Sequence, residues 1–213
     1  MNKESLASHL PLHVFDEAIF ENIVDDLVNK GYSIQLNNLP AFIVDALLRC
    51  QATISEEEYK TAGIGRADDF QHATEVRGDE ICWITGSTEE GKLWLSWCEA
   101  LQKYINRTLF MGLFSFESHF ACYEPGKFYK RHVDAFRGQS NRVLSLVAYL
   151  NNNWSEEEGG ALKLYIDEND NEGVTVMPQM GTFVVFLSEQ FPHEVLPSTR
   201  ERHSVAGWYR VNG

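Results

Sequence analysis

Hydrophobic residues in the first half of the chain recur at helical spacing. Over residues 14–30 the apolar side chains fall on one face, which predicts an amphipathic helix. A second helical pattern follows Pro40, and a third runs over about 91–109, with Trp94 and Trp97 on its apolar side. We therefore expect N-terminal helices that each bury one face, with both tryptophans in the core.

The second half has the pattern of a β-sheet. Short runs of β-branched and aromatic residues alternate with turn-rich stretches, and they predict strands over 116–123, 143–150, 161–166, 174–177, 182–187 and 205–209. One further strand is predicted at 32–36, and the polar segment 63–75 is predicted to be a mobile loop. This order of elements predicts an α+β fold in which N-terminal helices (14–109) buttress an antiparallel sandwich or jelly roll (about 116–210). We expect a single domain over 1–213.

The composition is that of an acidic globular protein. Hydrophobic residues make up 44% of the chain and aromatic residues 12%, which suffices for a packed core. The formal net charge of -13 disfavours nucleic acids and anionic membranes as partners. Cys50, Cys82, Cys98 and Cys122 form no CxxC pair, so we expect free thiols, three of them in the core. The N-terminus has no apolar segment behind a basic start, and we expect a reducing, cytoplasmic location.

Candidate metal ligands lie in two separate segments. His132 and Asp134 are two residues apart, so in an extended segment their side chains point to the same side. His193 follows the predicted strand 182–187 and can join them. Two imidazoles and one carboxylate form a facial triad that leaves coordination positions open, as iron oxygenases require. A three-ligand zinc site of a hydrolase is the alternative.

Arg202 is a candidate anion-binding residue. It lies nine residues after His193, and alternation along the last strand puts Ser204 on the same face. A guanidinium that points into a small barrel needs an anion, and its planar fork suits the distal carboxylate of a dicarboxylate. An internal ion pair with Asp or Glu is the alternative interpretation.

These motifs resemble the signature of the iron(II)/2-oxoglutarate dioxygenases. More specifically, the chain is similar to the prolyl 4-hydroxylases related to the enzymes that modify hypoxia-inducible factor. The similar blocks extend beyond the candidate ligands and lie at 77–86, 121–134, 142–154, 159–165 and 192–209. The resemblance implies a double-stranded β-helix, or jelly roll, as the fold.

The resemblance also implies a role for each matching residue. His132, Asp134 and His193 would bind iron, while Arg202 and Tyr149 would bind the C5 carboxylate of 2-oxoglutarate. Further residues would line the cosubstrate pocket, namely Tyr123, Leu162, Val195 and Ser204. Residues beside the substrate would be Tyr129, Arg142, Trp208, Arg77 and Asp79, the last two at the base of a loop that closes over it. An ion pair that stabilises the sheet is the alternative for Arg142.

The function implied by the resemblance is hydroxylation of a prolyl residue in a protein substrate. Fe(II) would be the metal cofactor, 2-oxoglutarate and O₂ would be consumed, and succinate and CO₂ would be formed. Ascorbate would stimulate turnover. Elongation factor Tu is a candidate target by analogy with bacterial members of this group. The chain departs from animal relatives at Ala135-Phe136, which follows the HxD motif. Two alternatives stay open: the same chemistry on a free amino acid or other small molecule, and a non-catalytic metal-binding jelly-roll module.

We assign no functional role to the other polar motifs. The acidic segment 167–173 has its glycine in the wrong position for a calcium-binding loop, and we predict a hairpin loop. We assign no role to the histidines without partner spacing, which are His9, His13, His72 and His119.

Overall fold

Two antiparallel sheets form the body of the protein in the computed structural model, which describes residues 15–62, 76–135 and 141–212. The strands in chain order are β1 (Tyr32–Gln35), β2 (Lys60–Thr61), β3 (Glu80–Trp83), β4 (Leu113–Tyr123), β5 (Tyr129–His132), β6 (Arg142–Tyr149), β7 (Leu162–Leu164), β8 (Val174–Val176), β9 (Phe183–Leu187), β10 (His193–Val195) and β11 (Arg202–Val211). The major sheet is seven-stranded with the order β1-β9-β6-β11-β4-β3-β2, and the minor sheet is four-stranded with the order β5-β10-β7-β8. This is the predicted jelly-roll arrangement.

The described residues form three α-helices before β4: α1 (Glu17–Lys30), α2 (Ala41–Ala52) and α3 (Glu89–Leu109). Local signals set their ends. The Asp16 carboxylate accepts a hydrogen bond from the backbone N–H of Ala18 at the start of α1, and Gly31 ends that helix with a φ of 77°. The Thr88 hydroxyl accepts from the N–H of Gly91 at the start of α3.

The major sheet separates two hydrophobic cores because its side chains alternate between its faces. On the outer face, Phe120 and Phe183 pack with the helices, where the Trp97 and Phe183 rings lie 5.6 Å apart. On the inner face, Tyr123 and Phe186 pack against residues of the minor sheet such as Leu162. The helices therefore cover one face of the major sheet, and the other face is left to line a site between the sheets.

Strand β11 lies at the centre of the major sheet, paired with β4 on one side and β6 on the other. The register sets Arg202 opposite Tyr123 on β4, and Ser204 opposite Tyr149 on β6. Arg202 and Ser204 share the inner face, as the alternation predicted, and Trp208 lies on the same face. The predicted strand 205–209 was too short at both ends.

The sequence prediction missed several strands. The short strands β2, β3, β5 and β10 were not predicted, and β1 to β3 lie within 14–109, so that region contributes to the major sheet as well as the helices. The segment 167–173 does connect the paired strands β7 and β8, as predicted. The predicted loop 63–75 lies outside the described residues.

Trp94 and Trp97 are buried, as expected. The cysteine prediction was partly wrong, because Cys50 and Cys98 are buried but Cys82 and Cys122 are only partly so. All four are free thiols. None of the helices in the described ranges is long and apolar enough to cross a membrane.

Candidate functional site

The structure brings His132, Asp134 and His193 together at the mouth of the jelly roll. His132 ends β5 and His193 begins β10, and the two residues are directly paired in the minor sheet. Asp134 follows β5, with its carboxylate oxygens 3.6 Å from Nε2 of His132 and 3.7 Å from Nε2 of His193. One donor atom from each residue lies within 4.8 Å of the other two, so a single cation could contact all three.

Both imidazoles are oriented by the backbone. Nδ1 of His132 lies 2.8 Å from the carbonyl oxygen of Lys130, and Nδ1 of His193 lies 3.1 Å from that of Phe191. A carbonyl oxygen only accepts, so each Nδ1 carries the proton and each Nε2 is a free acceptor. This is the tautomer and the orientation that a metal ion needs.

The Asp134 carboxylate is held by a pair of serines. The Ser145 hydroxyl donates to Oδ2 of Asp134 at 2.6 Å, and the Ser188 hydroxyl lies 2.9 Å from that of Ser145. Burial alone would raise the pKa of Asp134, but the adjacent imidazoles of His193 and His132 and the hydrogen bond from Ser145 outweigh it and hold the pKa well below its usual value. Asp134 is therefore an anion at neutral pH.

The buried imidazole of His193 is neutral. Burial lowers its pKa to about 4, against the opposing charge of Asp134. A neutral imidazole beside an ionised carboxylate is the donor set that binds a divalent metal.

Arg202 is buried on the same side of the sheet, with only 1% of its surface exposed. Its Nε donates to the carbonyl oxygen of Gly160 at 2.8 Å, and its Nη1 donates to the Ser204 hydroxyl at 3.2 Å. Among the described residues, none is a hydrogen-bond partner of Nη2, and no carboxylate lies within ion-pairing distance of the guanidinium. An unpaired buried cation is costly, which argues against the internal ion pair and for an anionic ligand.

Two tyrosines flank the guanidinium. Cζ of Arg202 lies 5.2 Å from the ring centroids of both Tyr123 and Tyr149. The Tyr149 hydroxyl is buried without a partner in the described part of the chain, and burial raises its pKa to about 12. Tyr149 therefore keeps its proton, and its hydroxyl can donate a hydrogen bond to an anion beside Arg202.

One pocket connects these groups. Its walls include Tyr123, Leu162, Val195 and Ser204, and it reaches from Arg202 to the three candidate metal ligands. Only Tyr149 of the predicted cosubstrate residues does not line this pocket directly.

The chain is similar to known proteins across the whole of this site. The model of the 2OG-Fe(II) oxygenase superfamily matches residues 118–210, which include all the groups described above. A prolyl-4-hydroxylase from Pseudomonas putida, known from a crystal structure, is 41% identical, with a TM-score of 0.79 over 91% of this chain and 100% of that one. The chain belongs to the 2OG-Fe(II) oxygenase superfamily.

Two animal relatives match different shares of the chain. Prolyl hydroxylase EGLN3 of Mus musculus is 34% identical over 63% of this chain, and the match covers 59% of the mouse enzyme. A prolyl hydroxylase from Trichoplax adhaerens, solved in complex with a peptide fragment of hypoxia-inducible factor, is 28% identical with a TM-score of 0.79, covering 91% of this chain and 90% of that one. The chain thus matches about three fifths of the length of the mouse relative.

The residues of the site fit iron(II) and 2-oxoglutarate, the two groups in the superfamily's name. Two imidazoles and one carboxylate suit iron(II) with open positions, so superfamily membership favours iron over the zinc alternative. The unpartnered Nη2 of Arg202 and the hydroxyl of Tyr149 fit the far carboxylate of 2-oxoglutarate.

Four of the five residues predicted to contact substrate line the same pocket: Arg77, Asp79, Tyr129 and Trp208. The Tyr129 ring stacks on His132 at 3.6 Å, and the Arg77 guanidinium lies 4.5 Å from the Tyr129 centroid. Arg77 also forms an ion pair of 2.5 Å with the fully buried Asp79 carboxylate. On the other side, Nε1 of Trp208 is buried without a hydrogen-bond partner in the described residues.

Arg142 has structural contacts of its own. Its guanidinium lies 3.8 Å from the Trp208 ring centroid and 3.1 Å from the Glu117 carboxylate, which also pairs with Arg210. The ion pair considered for Arg142 is thus present, and it fixes the guanidinium beside the pocket.

Sequence reasoning missed three residues of the site: Ser145, Ser188 and His119. His119 was given no role, yet it is buried, lines the pocket, and its ring lies 5.4 Å from that of Trp208. Alternation was the available signal, because His119 lies two residues before the inward-facing Ala121 on a predicted strand.

Proposed function

We propose that this protein is an iron(II)- and 2-oxoglutarate-dependent dioxygenase that hydroxylates a prolyl residue in a protein substrate. The observation that carries the proposal is the buried guanidinium of Arg202, which has an unpartnered nitrogen and shares a pocket with a three-ligand metal site. The prolyl substrate is supported by the 41% identity to a bacterial prolyl-4-hydroxylase over the whole length of that enzyme.

In this proposal His132, Asp134 and His193 hold iron(II) through Nε2, a carboxylate oxygen and Nε2. When bound, the metal with 2-oxoglutarate and O₂ supplies the oxidation that adds one oxygen atom to a substrate C–H bond and forms succinate and CO₂. The protein contributes a neutral ligand at His193 and a negatively charged one at Asp134, which suits a divalent cation.

Arg202 and Tyr149 would bind the far carboxylate of the cosubstrate. Nη2 and the tyrosine hydroxyl each have a hydrogen free to donate, and Ser204 orients Nη1. Tyr123, Leu162 and Val195 would cover the rest of the cosubstrate and exclude water, which strengthens the ion pair with Arg202.

The substrate would approach between Tyr129 and Trp208. Arg77 and Asp79 orient Tyr129 from one side, while Arg142 packs over the Trp208 ring from the other. Nε1 of Trp208 could donate to a backbone carbonyl of a peptide. The Trichoplax relative, solved with a peptide, supports a polypeptide rather than a small molecule. A proline of elongation factor Tu is our candidate target, by analogy with bacterial members of the group.

A comparison of wild-type cells with cells that carry His132→Ala tests the proposal. We expect a prolyl peptide that is heavier by one oxygen atom in the wild type and unmodified in the variant. The purified protein should then convert 2-oxoglutarate to succinate in proportion to hydroxylation of that peptide. Turnover with free proline but with no peptide would favour the small-molecule alternative, and binding of iron without succinate formation would favour the non-catalytic module.

A further inference from the structure

A second group of candidate metal ligands lies on the opposite face of the major sheet. Cys122 on β4 and His203 on β11 are directly paired in the register, and Glu201 precedes β11. The sulfur, one imidazole nitrogen and one carboxylate oxygen all lie within 4.8 Å of one another. None of the three residues belongs to the pocket proposed for iron and cosubstrate.

The side chains converge because alternation turns them away from that pocket. Tyr123 and Arg202 point inward, so their neighbours Cys122 and His203 point outward. The backbone at His203 is pinned on both sides by Asn151, whose side chain accepts from its N–H at 2.7 Å and donates to its carbonyl oxygen at 2.9 Å. The metal-ligand candidates therefore lie on a rigid part of the sheet.

The donor atoms lie close together. Nε2 of His203 lies 2.6 Å from the Glu201 carboxylate, and the Cys122 sulfur lies within 4.8 Å of both groups. On the other side of the ring, Nδ1 of His203 lies 2.9 Å from the side-chain amide of Gln51. One cation could therefore contact all three donors.

The surroundings carry negative charge. The three residues line a groove of about 690 Å³ together with Glu56, Glu80 and Glu124, and no lysine or arginine is among the described residues that line it. Such a groove raises the local concentration of cations. Further carboxylates or water can complete a tetrahedral shell, since the groove is open to solvent.

Nucleophilic catalysis by a Cys-His-Glu group is the rival interpretation. Burial, together with the charges of Glu201, Glu80 and Glu124, raises the pKa of the Cys122 thiol to about 12. A reactive cysteine needs the opposite shift, toward a thiolate at neutral pH. A divalent cation, in contrast, can displace the thiol proton and is favoured by the same carboxylates.

We propose that Cys122, Glu201 and His203 form a second metal site, which takes a zinc-type divalent cation through one sulfur, one oxygen and one nitrogen ligand. The thiol proton is released to solvent, and the thiolate and the carboxylate neutralise the two charges of the cation. The imidazole stays neutral, because its proton moves from Nε2 to Nδ1 when Nε2 binds the metal. Gln51 can turn its amide so that the oxygen accepts from Nδ1 and from the Tyr59 hydroxyl, which now lies 3.4 Å from the amide nitrogen.

Titration of the full chain with Co²⁺ under anaerobic conditions tests this site apart from the proposed iron site. Only the second site contains sulfur, so only it gives the near-ultraviolet absorption of a thiolate–cobalt bond. We expect this absorption in the wild type and in His132→Ala, with its loss in Cys122→Ser. Cys82→Ser is the matched control, since Cys82 is also partly buried but lies outside the group, and it should keep the absorption.

Competition with Zn²⁺ should abolish the cobalt absorption in every variant that shows it. Gln51→Leu should weaken binding roughly tenfold, because it removes the partner of Nδ1. Absence of the thiolate–cobalt absorption in the wild type, or its survival in Cys122→Ser, would overturn the proposal. Thermal unfolding of metal-free Cys122→Ser should match that of the metal-free wild type, which separates lost ligation from lost folding.

Discussion

Nε of Arg202 donates a hydrogen bond of 2.8 Å to the carbonyl oxygen of Gly160, and this contact aims the rest of the guanidinium into the pocket. Gly160 has a φ of +70°, and a Cβ there would lie 2.9 Å from Cβ of Ser198, 3.0 Å from the Trp154 ring and 3.3 Å from Cδ of Arg202. Only glycine brings the backbone this close to the arginine without strain.

Arg202→Ala should weaken 2-oxoglutarate binding by about two to four orders of magnitude, since an unpaired carboxylate in a dry pocket costs about 3 to 5 kcal/mol. Binding of 2-oxoglutarate to the metal-loaded protein, measured by calorimetry, checks this. Arg200→Ala is the control, because Arg200 pairs with Glu158 outside the pocket. Equal affinities in both variants would remove Arg202 from the cosubstrate site.

Gly160→Ala should lower both stability and cosubstrate affinity. The matched control is Gly112→Ala, because Gly112 has a similar φ of +67° but no heavy atom within 4 Å of the added Cβ. We expect about 1 kcal/mol of lost unfolding free energy in the control from backbone strain alone, and a larger loss in Gly160→Ala. Chemical denaturation measures the unfolding free energy of both variants. An equal loss of unfolding free energy in the two would show that the contacts around Gly160 are unimportant.

Ser145→Ala should reduce iron affinity about 10- to 100-fold, since it removes the hydroxyl that orients the Asp134 carboxylate. Ser188→Ala should have a smaller effect, because Ser188 reaches Asp134 only through Ser145. Metal binding measured by competition with a chelator ranks the two variants. The reverse ranking would contradict the hydrogen-bond order in the structure.

His119 should make the stability of the metal-free protein depend on pH. Burial lowers its pKa from 6.5 to about 4, so below pH 6.5 the unfolded chain takes up a proton that the folded chain does not. The stabilising contribution is full above pH 6.5 and is lost as the pH falls to about 4, by at most about 3 kcal/mol. His119→Asn keeps a donor for the Phe120 carbonyl but does not titrate.

Urea unfolding at a series of pH values checks this effect. Between pH 6.5 and 4 the unfolding free energy of His119→Asn should fall less steeply than that of the wild type. Parallel curves would mean that His119 is protonated equally in both states.

The long elements and the inward positions on them could be predicted from the sequence. Arg202 and Ser204 were assigned to one face from alternation alone, and β11 places both in the pocket. Applied to β6, the same rule relates Ser145 to the inward-facing Tyr149 four residues later, so this contact to Asp134 could have been found.

The short strands β5 and β10 could not be predicted, because their histidines serve the site instead of the core. β5 reads Tyr-Lys-Arg-His and β10 reads His-Glu-Val, and neither shows alternation of apolar and polar residues. Pairing between His132 and His193 depends on residues about sixty positions apart, which no local pattern reveals.

The central place of β11 also affects how the chain folds during synthesis. On the ribosome β4 and β6 emerge well before β11, which must insert between them. Until then each exposes unpaired backbone N–H and C=O groups along one edge, which invites association between nascent chains. We therefore expect chaperones to bind this protein during translation, when β4 and β6 have left the ribosome and β11, which pairs with both, is still inside it.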